Sequence, residues 1–395
     1  MIRIGKPTVK TGDSYSTLIT DVTIDNNKES LWFKVEKKYG EFLCYERSDA
    51  YLVAVLNYAM VNHHDIVLEA PVSEGLLFKI ENILVPALIE SNPTWHTPNI
   101  IAEIAKDRLP NAGAVGTGIS CGVDSLHAVA KKTGLKYKSF NISHLTFNNV
   151  GSHGEGEEAH KRYLSRLERP KKFAQEYGFE LVISDSNLMD VIKQNHFWTH
   201  TYSSMFPVLC LQKLFSVYFY ASSGYKYSEI SFKRTQHIGS GSYEPISLHV
   251  FSTDNTSILS EGTGLSRMEK IKGIADYKPS YKYLNVCLDE EYNCGKCSKC
   301  VRTLLELDAL GILEKYSAVF DIEDYKKNRK QFLVRMLSFK NEGRHDFIEM
   351  VPYFKKDLTL EIRLRYLLKR ILKFGYNVSL KIPGVNNLVD SVVKP

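Results

Sequence analysis

The sequence contains no apolar run of the ~20 residues that a membrane-spanning helix needs. Its first residues, Met1 to Pro7, lack the apolar stretch and small-residue cleavage site of a secretory signal peptide. Cysteine is also scarce, because the 395 residues include only seven. Seven is an odd number and the cysteines are clustered, which favours metal binding over a disulfide framework. We therefore expect a protein without a membrane span, located in a reducing cytoplasm.

An excess of positive charge is confined to one part of the chain. Residues 351–395 contain nine Lys or Arg and three Asp or Glu, an excess that equals the net charge of +6 for the whole sequence. The other residues are therefore balanced, unlike a protein coated with positive charge for nucleic acid. We interpret the chain as a near-neutral enzyme with a basic C-terminal segment.

The length is sufficient for two or three domains. Residues 1–108 are predicted to form an N-terminal α+β accessory domain, a scaffold, substrate lid or interaction domain without catalytic spacing. Residues 109–315 alternate strands with helices, which indicates an α/β fold with a doubly wound parallel sheet. Residues 316–395 are predicted to form a helical, basic C-terminal region.

Within the α/β region, alternating apolar runs predict the order of the elements. Strands are predicted at 114–119, 139–146, 179–184 and 229–232, and helices at 124–132, 161–177 and 205–222. In a parallel sheet of this kind, ligands bind at the carboxyl ends of the strands. A turn that follows residue 119 lies at such an end.

That turn, Ser120-Cys121-Gly122-Val123-Asp124-Ser125, is suited to phosphate binding. Gly118 and Gly122 allow a ligand to approach the backbone, and Ser120 and Ser125 supply hydroxyl groups. The helix that follows points its positive dipole end at the turn. Asp124 can cap that helix and help to hold Mg²⁺. No Gly-Lys-Ser/Thr follows, so this is not a Walker A loop.

Four of the seven cysteines, Cys287, Cys294, Cys297 and Cys300, lie within fourteen residues. Tetrahedral Zn²⁺ takes four thiolates at about 2.3 Å, and ligands spaced by two residues on a turn meet that geometry. A site with four sulfur ligands has no open position, so we expect structural rather than catalytic zinc.

The Ser-X-Gly-Val-Asp-Ser turn resembles the Ser-Gly-Gly-X-Asp-Ser signature of the PP-loop ATP pyrophosphatases, and departs from it at Cys121. The resemblance implies an adenine nucleotide alpha-hydrolase-like fold that binds ATP and cleaves it between the α- and β-phosphates. It implies nucleotide contacts from seven loop positions and from a residue in the next strand. These are Gly118, Ser120, Cys121, Gly122, Val123, Asp124 and Ser125, with His144 beside the nucleotide.

Together with the loop, the Cys-X6-Cys-Gly-Lys-Cys-Ser-Lys-Cys-Val-Arg segment resembles one branch of that superfamily, the 7-cyano-7-deazaguanine synthases. The resemblance covers about residues 112–313. It implies a ligase that uses ATP to adenylate a carboxylate, releases pyrophosphate and AMP, and forms a C–N bond. The implied cofactors are ATP, Mg²⁺ and Zn²⁺. Relatives in bacterial antiviral defence operons modify protein partners, which is one setting for this chain.

For catalysis the sequence offers Asp124 and Ser125 in the loop, and Lys233, Arg234 and Arg267 as cations that offset charge on the leaving pyrophosphate. Residues 195–202 are rich in groups that stack on a flat heterocycle and are the main candidate for the substrate pocket. The acidic and histidine run at 153–160 is expected to be a mobile active-site loop. Cys44 and Cys210 are expected to be buried hydrophobic residues.

Several alternatives remain open at this stage. The N-terminal region and the tail suggest an acceptor other than a small carboxylate, including a macromolecule. Rival functions are a tRNA sulfur-transferase and a non-catalytic nucleotide-binding interaction protein. The amphipathic basic segment 358–374 can bind an anionic membrane surface, RNA or a partner, or pack on the domain. Further partners left open are another protein and a second copy of the chain.

Overall fold

The computed structural model describes residues 1–154, 156–222, 224–287 and 292–379, with side chains described as far as residue 372. The chain forms two compact units, residues 1–266 and 267–395. All strands in the described residues belong to the first unit. They are β1 Ile2–Ile4, β2 Thr8–Thr11, β3 Tyr15–Ile24, β4 Asn27–Glu36, β5 Ile66–Leu68, β6 Val72–Ser73, β7 Ile100–Ile101, β8 Ile104–Ala105, β9 Ala114–Gly118, β10 His144–Asn148, β11 Glu180–Ser186, β12 Phe215–Ala221 and β13 Ser257–Glu261.

The helices are distributed over both units. Those of the first unit are α1 Asp49–Val61, α2 Glu74–Lys79, α3 Val85–Ser91, α4 Val123–Lys131, α5 Gly156–Tyr177, α6 Leu188–Val191, α7 His196–Cys210 and α8 Glu244–Val250. Those of the second are α9 Arg267–Ile274, α10 Lys278–Tyr283, α11 Ser298–Ala309, α12 Ile322–Asn341, α13 His345–Met350 and α14 Leu360–Ser379. None of the described helices has both the length and the hydropathy that crossing a bilayer requires.

The larger sheet has the strand order β13-β12-β9-β10-β11-β4-β3-β1-β5-β7, with β2 paired to β3. Its first five strands are all parallel to one another. Chain order therefore runs outward from β9 in two directions, through β10 and β11 on one side and through β12 and β13 on the other. The mixed α/β fold class expected from the sequence is confirmed.

The N-terminal strands extend this same sheet. The long hairpin of β3 and β4 alternates buried and exposed side chains, and β4 pairs antiparallel with β11, so that Lys34 lies opposite Asp185. Helix α1 packs on α7, with the ring centroids of Tyr51 and Phe206 5.6 Å apart. The expected boundary near residue 108 therefore falls inside the first unit, because backbone pairing and core packing cross it. The boundary near residue 315 falls inside the second unit.

One apolar run has a different structure from the one predicted. The sequence predicts a single helix at 205–222 and a strand at 229–232, whereas α7 ends at Cys210, residues 215–221 form β12, and residues 227–229 form a 3-10 turn. Both α7 and β12 are buried on most sides, so neither shows a polar face that would reveal its period. The strand β13 was not predicted.

The centre of the parallel sheet depends on a glycine in β9. A Cβ atom added to Gly116 would lie 2.6 Å from Cε1 of Phe215 and 2.8 Å from Cδ2 of Tyr218. Both rings are almost completely buried, so they have little room to move. The absent side chain thus allows β12 to pack its aromatic residues over β9.

We therefore predict that Gly116→Ala lowers the stability of the first unit by about 1–3 kcal/mol, because the new methyl group overpacks this core. Thermal unfolding would measure the shift in Tm. Gly12→Ala is the matched control, since a Cβ there makes only an ordinary 3.4 Å contact. An equal effect of both substitutions would contradict the packing argument.

The second unit is helical and held by buried apolar residues and ion pairs. Arg329 contacts two carboxylates, with its Nε 2.7 Å from Oδ2 of Asp308 and its Nη1 2.7 Å from Oδ1 of Asp357. Arg302 of α11 reaches Oδ2 of Asp346 at 2.6 Å. These contacts join α11, α12 and α13 and the chain that precedes α14.

Candidate functional site

The turn after β9 lies where the two directions of the sheet diverge. β9 is flanked by β12, the fourth parallel strand in chain order, and by β10, the second. In open α/β sheets the crevice outside the carboxyl ends of such strands is the usual ligand site. Residues 119–122 leave β9 at this crevice and lead directly into α4.

Two serines close the turn. The Ser125 hydroxyl donates to the carbonyl of Gly122 at 3.1 Å and accepts from the backbone N–H of Ser120 at 3.3 Å. The Ser120 hydroxyl accepts from the N–H of Gly122 at 3.2 Å. Gly122 is the N-cap of α4, and the first N–H groups of any helix lack intrahelical acceptors. The turn therefore presents amide and hydroxyl groups and a helix dipole to the crevice, as anion binding requires.

Cys121, where the sequence departs from the PP-loop signature, has a left-handed backbone conformation with φ of 57°. This conformation favours glycine and costs about 1–2 kcal/mol for a residue with a Cβ. The Cys121 side chain is completely buried, so it points away from the crevice. Burial raises the pKa of its thiol to about 12, which leaves it protonated at neutral pH. Cys121 is therefore a packing residue and not an exposed nucleophile.

We predict that Cys121→Gly changes stability by no more than about 1 kcal/mol, because relief of the left-handed strain offsets the lost apolar contact. Cys121→Val should lower it by about 2 kcal/mol or more, since a β-branched residue is poorly tolerated at positive φ. Thermal unfolding of both variants would test this. A Cys121→Gly protein less stable than Cys121→Val would show that the thiol, rather than the backbone, matters.

Polar side chains missed by the sequence analysis form a chain across the neighbouring strands. The hydroxyl groups of Tyr218 and Thr146 are 2.7 Å apart, and Asn148 Nδ2 donates to Thr146 Oγ1 at 3.2 Å. Ser184 Oγ then donates to Asn148 Oδ1 at 2.7 Å. Thr146 is level with Gly118 in the sheet, so this network adjoins the start of the turn. Only the pairing of the strands reveals it.

The predicted substrate segment reaches the same edge through His200. Its Nδ1 lies 2.8 Å from the hydroxyl of Tyr220, close to the end of β12. Burial, with a smaller contribution from the nearby His196, lowers the pKa of His200 to about 3, so the ring is neutral at neutral pH. The pKa of Tyr220 is raised, mainly by burial and also by the carboxylates of Glu244 and Asp124.

The other members of residues 195–202 are mostly structural. Tyr202 is buried, with its hydroxyl 3.1 Å from that of Tyr243. The indole of Trp198 donates to the carbonyl of Thr235 at 3.1 Å. Within this segment, therefore, His200 lies near the end of β12 and Tyr202 packs in the core, whereas Phe197 is 46% exposed.

Two of the predicted cations contact aromatic or acidic groups in the described part of the chain. The Arg234 guanidinium carbon lies 4.0 Å from the ring centroid of Trp198 and 5.8 Å from that of Trp95. Lys233, next to it, is exposed. In the second unit, Arg267 Nε lies 3.5 Å from a carboxylate oxygen of the buried Glu306.

The structure places His144 away from the turn. It is the first residue of β10, opposite Gly116, and therefore lies toward the amino end of the parallel strands. Its ring meets Phe215 edge-on and Nδ1 is 2.9 Å from Ser143 Oγ. The predicted strand at 139–146 begins five residues later, at 144, so the carboxyl end that was expected at His144 lies at Asn148.

The acidic and histidine run borders a separate cleft at the ends of β10 and β11. Glu155 lies outside the described residues, Glu157 and Glu158 are exposed, and His153 packs against Phe147 and Tyr163. The cleft has a volume of about 550 Å³. It is lined by Trp32, Lys34, Asn149, Gly151, Gly154, Gly156, Glu157, Ala159, His160, Asp185, Ser186, Met189 and Asp190.

In the second unit, the four clustered cysteines converge on one point. Their sulfur atoms all lie within 4.8 Å of one another. The Cys287 and Cys297 sulfurs are 3.9 Å apart, as are those of Cys294 and Cys300. Four thiolates about 2.3 Å from one tetrahedral ion are separated by roughly 3.8 Å. The cluster can therefore hold a metal ion such as Zn²⁺ with little movement.

Backbone N–H groups donate to two of the four sulfurs. The N–H groups of Lys296 and Cys297 donate to the Cys294 sulfur at 3.4 and 3.3 Å, and the N–H of Cys300 donates to the Cys297 sulfur at 3.5 Å. Asn293 joins two segments of this irregular loop, because its Oδ1 accepts from the N–H of Val286 at 2.8 Å.

A basic side chain lies beside these sulfurs. Burial lowers the pKa of Arg335, whereas the charges of Cys297 and Cys294 raise it. The net effect is a lowered pKa of Arg335, since burial is the larger of the two influences.

No family model, curated protein or solved structure matches this chain. Cys44 and Cys210 are buried, as expected from the sequence, and burial raises the pKa of both thiols.

We predict that the purified chain contains about one zinc ion per molecule, and that Cys297→Ser removes it and lowers the Tm of the second unit. Elemental analysis and calorimetry would measure both effects. Cys44→Ala is the control, because it removes a buried thiol outside the cluster and should leave the metal content unchanged. Equal zinc in wild type and Cys297→Ser would refute the assignment.

Proposed function

We propose that this chain is an ATP-dependent ligase of the PP-loop class that adenylates a carboxylate and forms a C–N bond. The observation that carries the proposal is the position of the Ser-Cys-Gly-Val-Asp-Ser turn at the divergence point of the five parallel strands. A doubly wound, nucleotide-binding sheet requires its phosphate loop at this point. The left-handed φ at Cys121, where the superfamily signature has glycine, supports the same assignment.

In the proposed reaction, the turn holds the triphosphate of ATP. A carboxylate oxygen of the acceptor attacks the α-phosphorus, the bond to the β-phosphate oxygen breaks, and pyrophosphate leaves. A nitrogen nucleophile then attacks the acyl carbon and displaces AMP. Amide N–H groups at the start of α4 and the Ser120 hydroxyl stabilise phosphate charge. Asp124 would help to hold Mg²⁺, and a bound ion would supply positive charge to the triphosphate.

The metal centre has a separate role in this proposal. Its four sulfur ligands leave no position for substrate or water, so a bound ion stabilises the fold of the second unit. The acceptor remains unassigned, but the cleft beside Asp185 and the edge at His200 are its two candidate sites. Both lie at carboxyl ends of the parallel strands.

The sulfur-transferase alternative is disfavoured by the cysteines. That chemistry needs a thiolate that reaches substrate. All seven cysteines are among the described residues; four form the metal cluster, and Cys44, Cys121 and Cys210 are buried with raised pKa values.

We predict that the chain catalyses exchange of labelled pyrophosphate into ATP when supplied with carboxylates of flat heterocycles or with an acceptor protein. Asp124→Ala should reduce this exchange by about 100-fold or more, since a group that stabilises triphosphate charge is lost. Asp13→Ala, which removes an exposed carboxylate elsewhere in the first unit, is the control and should exchange normally.

Exchange reports the adenylation step alone, so it does not require the nitrogen donor. Release of phosphate instead of pyrophosphate, or exchange that is indifferent to Asp124→Ala, would reject the ligase assignment. ATP binding that depends on Asp124 without any exchange would favour the non-catalytic alternative.

A further inference from the structure

Helix α14 exposes a continuous apolar stripe. Six of its side chains are between 48 and 73% exposed: Leu360, Leu364, Leu367, Leu368, Ile371 and Leu372. At 3.6 residues per turn these positions cover an arc of about 140° on the helix. The side chains that pack on the second unit, the buried Ile362 and the half-buried Tyr366, lie on the opposite side. The expected packing of the apolar face on the domain is therefore limited to Ile362.

Basic residues border this stripe on both sides. By helical position, Arg363 and Arg370 lie along one edge, and Arg365 and Lys369 lie along the other. All four are exposed. Long basic side chains at the boundary of an apolar face can lay their stems on apolar surface while their charges reach polar headgroups.

The acidic residue of this surface is already neutralised. Glu361 accepts from Nζ of Lys330 on α12 at 2.6 Å and from Nη2 of Arg365 at 2.8 Å. Its charge therefore does not repel an anionic surface that approaches the stripe.

A basic cleft lies next to the stripe, between α12 and α14. It has a volume of about 580 Å³, and Lys327, Lys330, Arg365 and Lys369 line it. Arg365 also lines the apolar hollow formed by Leu364, Leu367 and Leu368. The apolar surface and the basic side chains are thus contiguous. A phospholipid joins matching parts, since its acyl chains adjoin a negatively charged phosphate.

Other occupants match this surface less well. A second copy of α14 packed on the stripe would bring the two basic edges of each helix together, and like charges in such positions repel. Single-stranded RNA would satisfy the arginines but would leave six aliphatic side chains uncovered, since RNA-binding faces use aromatic rings for stacking.

We propose that α14, together with the adjoining face of α12, docks on the surface of a membrane that contains anionic phospholipids. The apolar stripe lies among the outer parts of the acyl chains, and the basic edges and cleft contact the lipid phosphates. The helix lies in the plane of the surface and does not cross the bilayer. This inference is independent of the proposed ligase activity.

The test is co-sedimentation of the full chain with phosphatidylcholine vesicles, with and without phosphatidylglycerol. We expect binding only when phosphatidylglycerol is present, and weaker binding as salt increases. The double variant Leu367→Glu/Ile371→Glu should weaken binding by about 100-fold, because two apolar side chains that enter the membrane on docking become charged. Leu164→Glu is its control, since Leu164 is an equally exposed leucine on α5.

A second pair of variants tests how much the basic residues contribute to vesicle binding, separately from the apolar stripe. Arg363→Gln/Arg370→Gln should weaken binding by about 30-fold, at roughly fivefold for each charge near an anionic surface. Lys138→Gln/Lys171→Gln removes two exposed charges from the first unit and should have no effect.

Several results would overturn the proposal. These are failure of the wild-type chain to bind phosphatidylglycerol vesicles, and binding that is unchanged in Leu367→Glu/Ile371→Glu. A dimer in light scattering that this double variant dissociates, without vesicle binding, would assign the stripe to a second copy. RNA binding lost in Arg363→Gln/Arg370→Gln, again without vesicle binding, would assign the surface to nucleic acid.

Discussion

The site of the first unit depends on how closely β9 can pack between its two neighbours. Gly116 admits the rings of Phe215 and Tyr218 directly over the strand, which brings β12 alongside β9. With β10 on the other side, the chain that leaves β9 has parallel strands on both flanks. It enters α4 through the left-handed turn at Cys121. The position of the turn, the polar chain through Tyr218 and the approach of His200 all follow from that arrangement.

Local patterns were sufficient for much of this site. The strand, turn and helix from 114 to 132 were predicted within one residue at each end. In these segments the periodicity and the turn residues agree with the final structure. The cysteine cluster was likewise found, because its ligands are close in sequence.

Features that depend on pairing between segments far apart in the sequence could not be predicted from local patterns. The run at 205–222 is largely apolar, and only its tertiary surroundings divide it into a helix and a central strand. The position of β10 was also predicted incorrectly. His144 was therefore expected near the carboxyl end of this strand, whereas it is the first residue of the strand. The boundary at 108 was inferred from a change in pattern, but β4 crosses it by pairing with β11, and sequence alone does not show pairing between distant strands.

That pairing changes the interpretation of the N-terminal region. Lys34 of β4 lies opposite Asp185, with Nζ 3.5 Å from Oδ2, and Trp32 lines the same cleft. Asn149 donates to the other carboxylate oxygen at 2.9 Å, so the parallel strands and the N-terminal hairpin share one polar cluster. An accessory domain attached by a linker would not supply such contacts. In the proposed reaction, acceptor selection therefore involves side chains of β4 as well as those at the ends of the parallel strands.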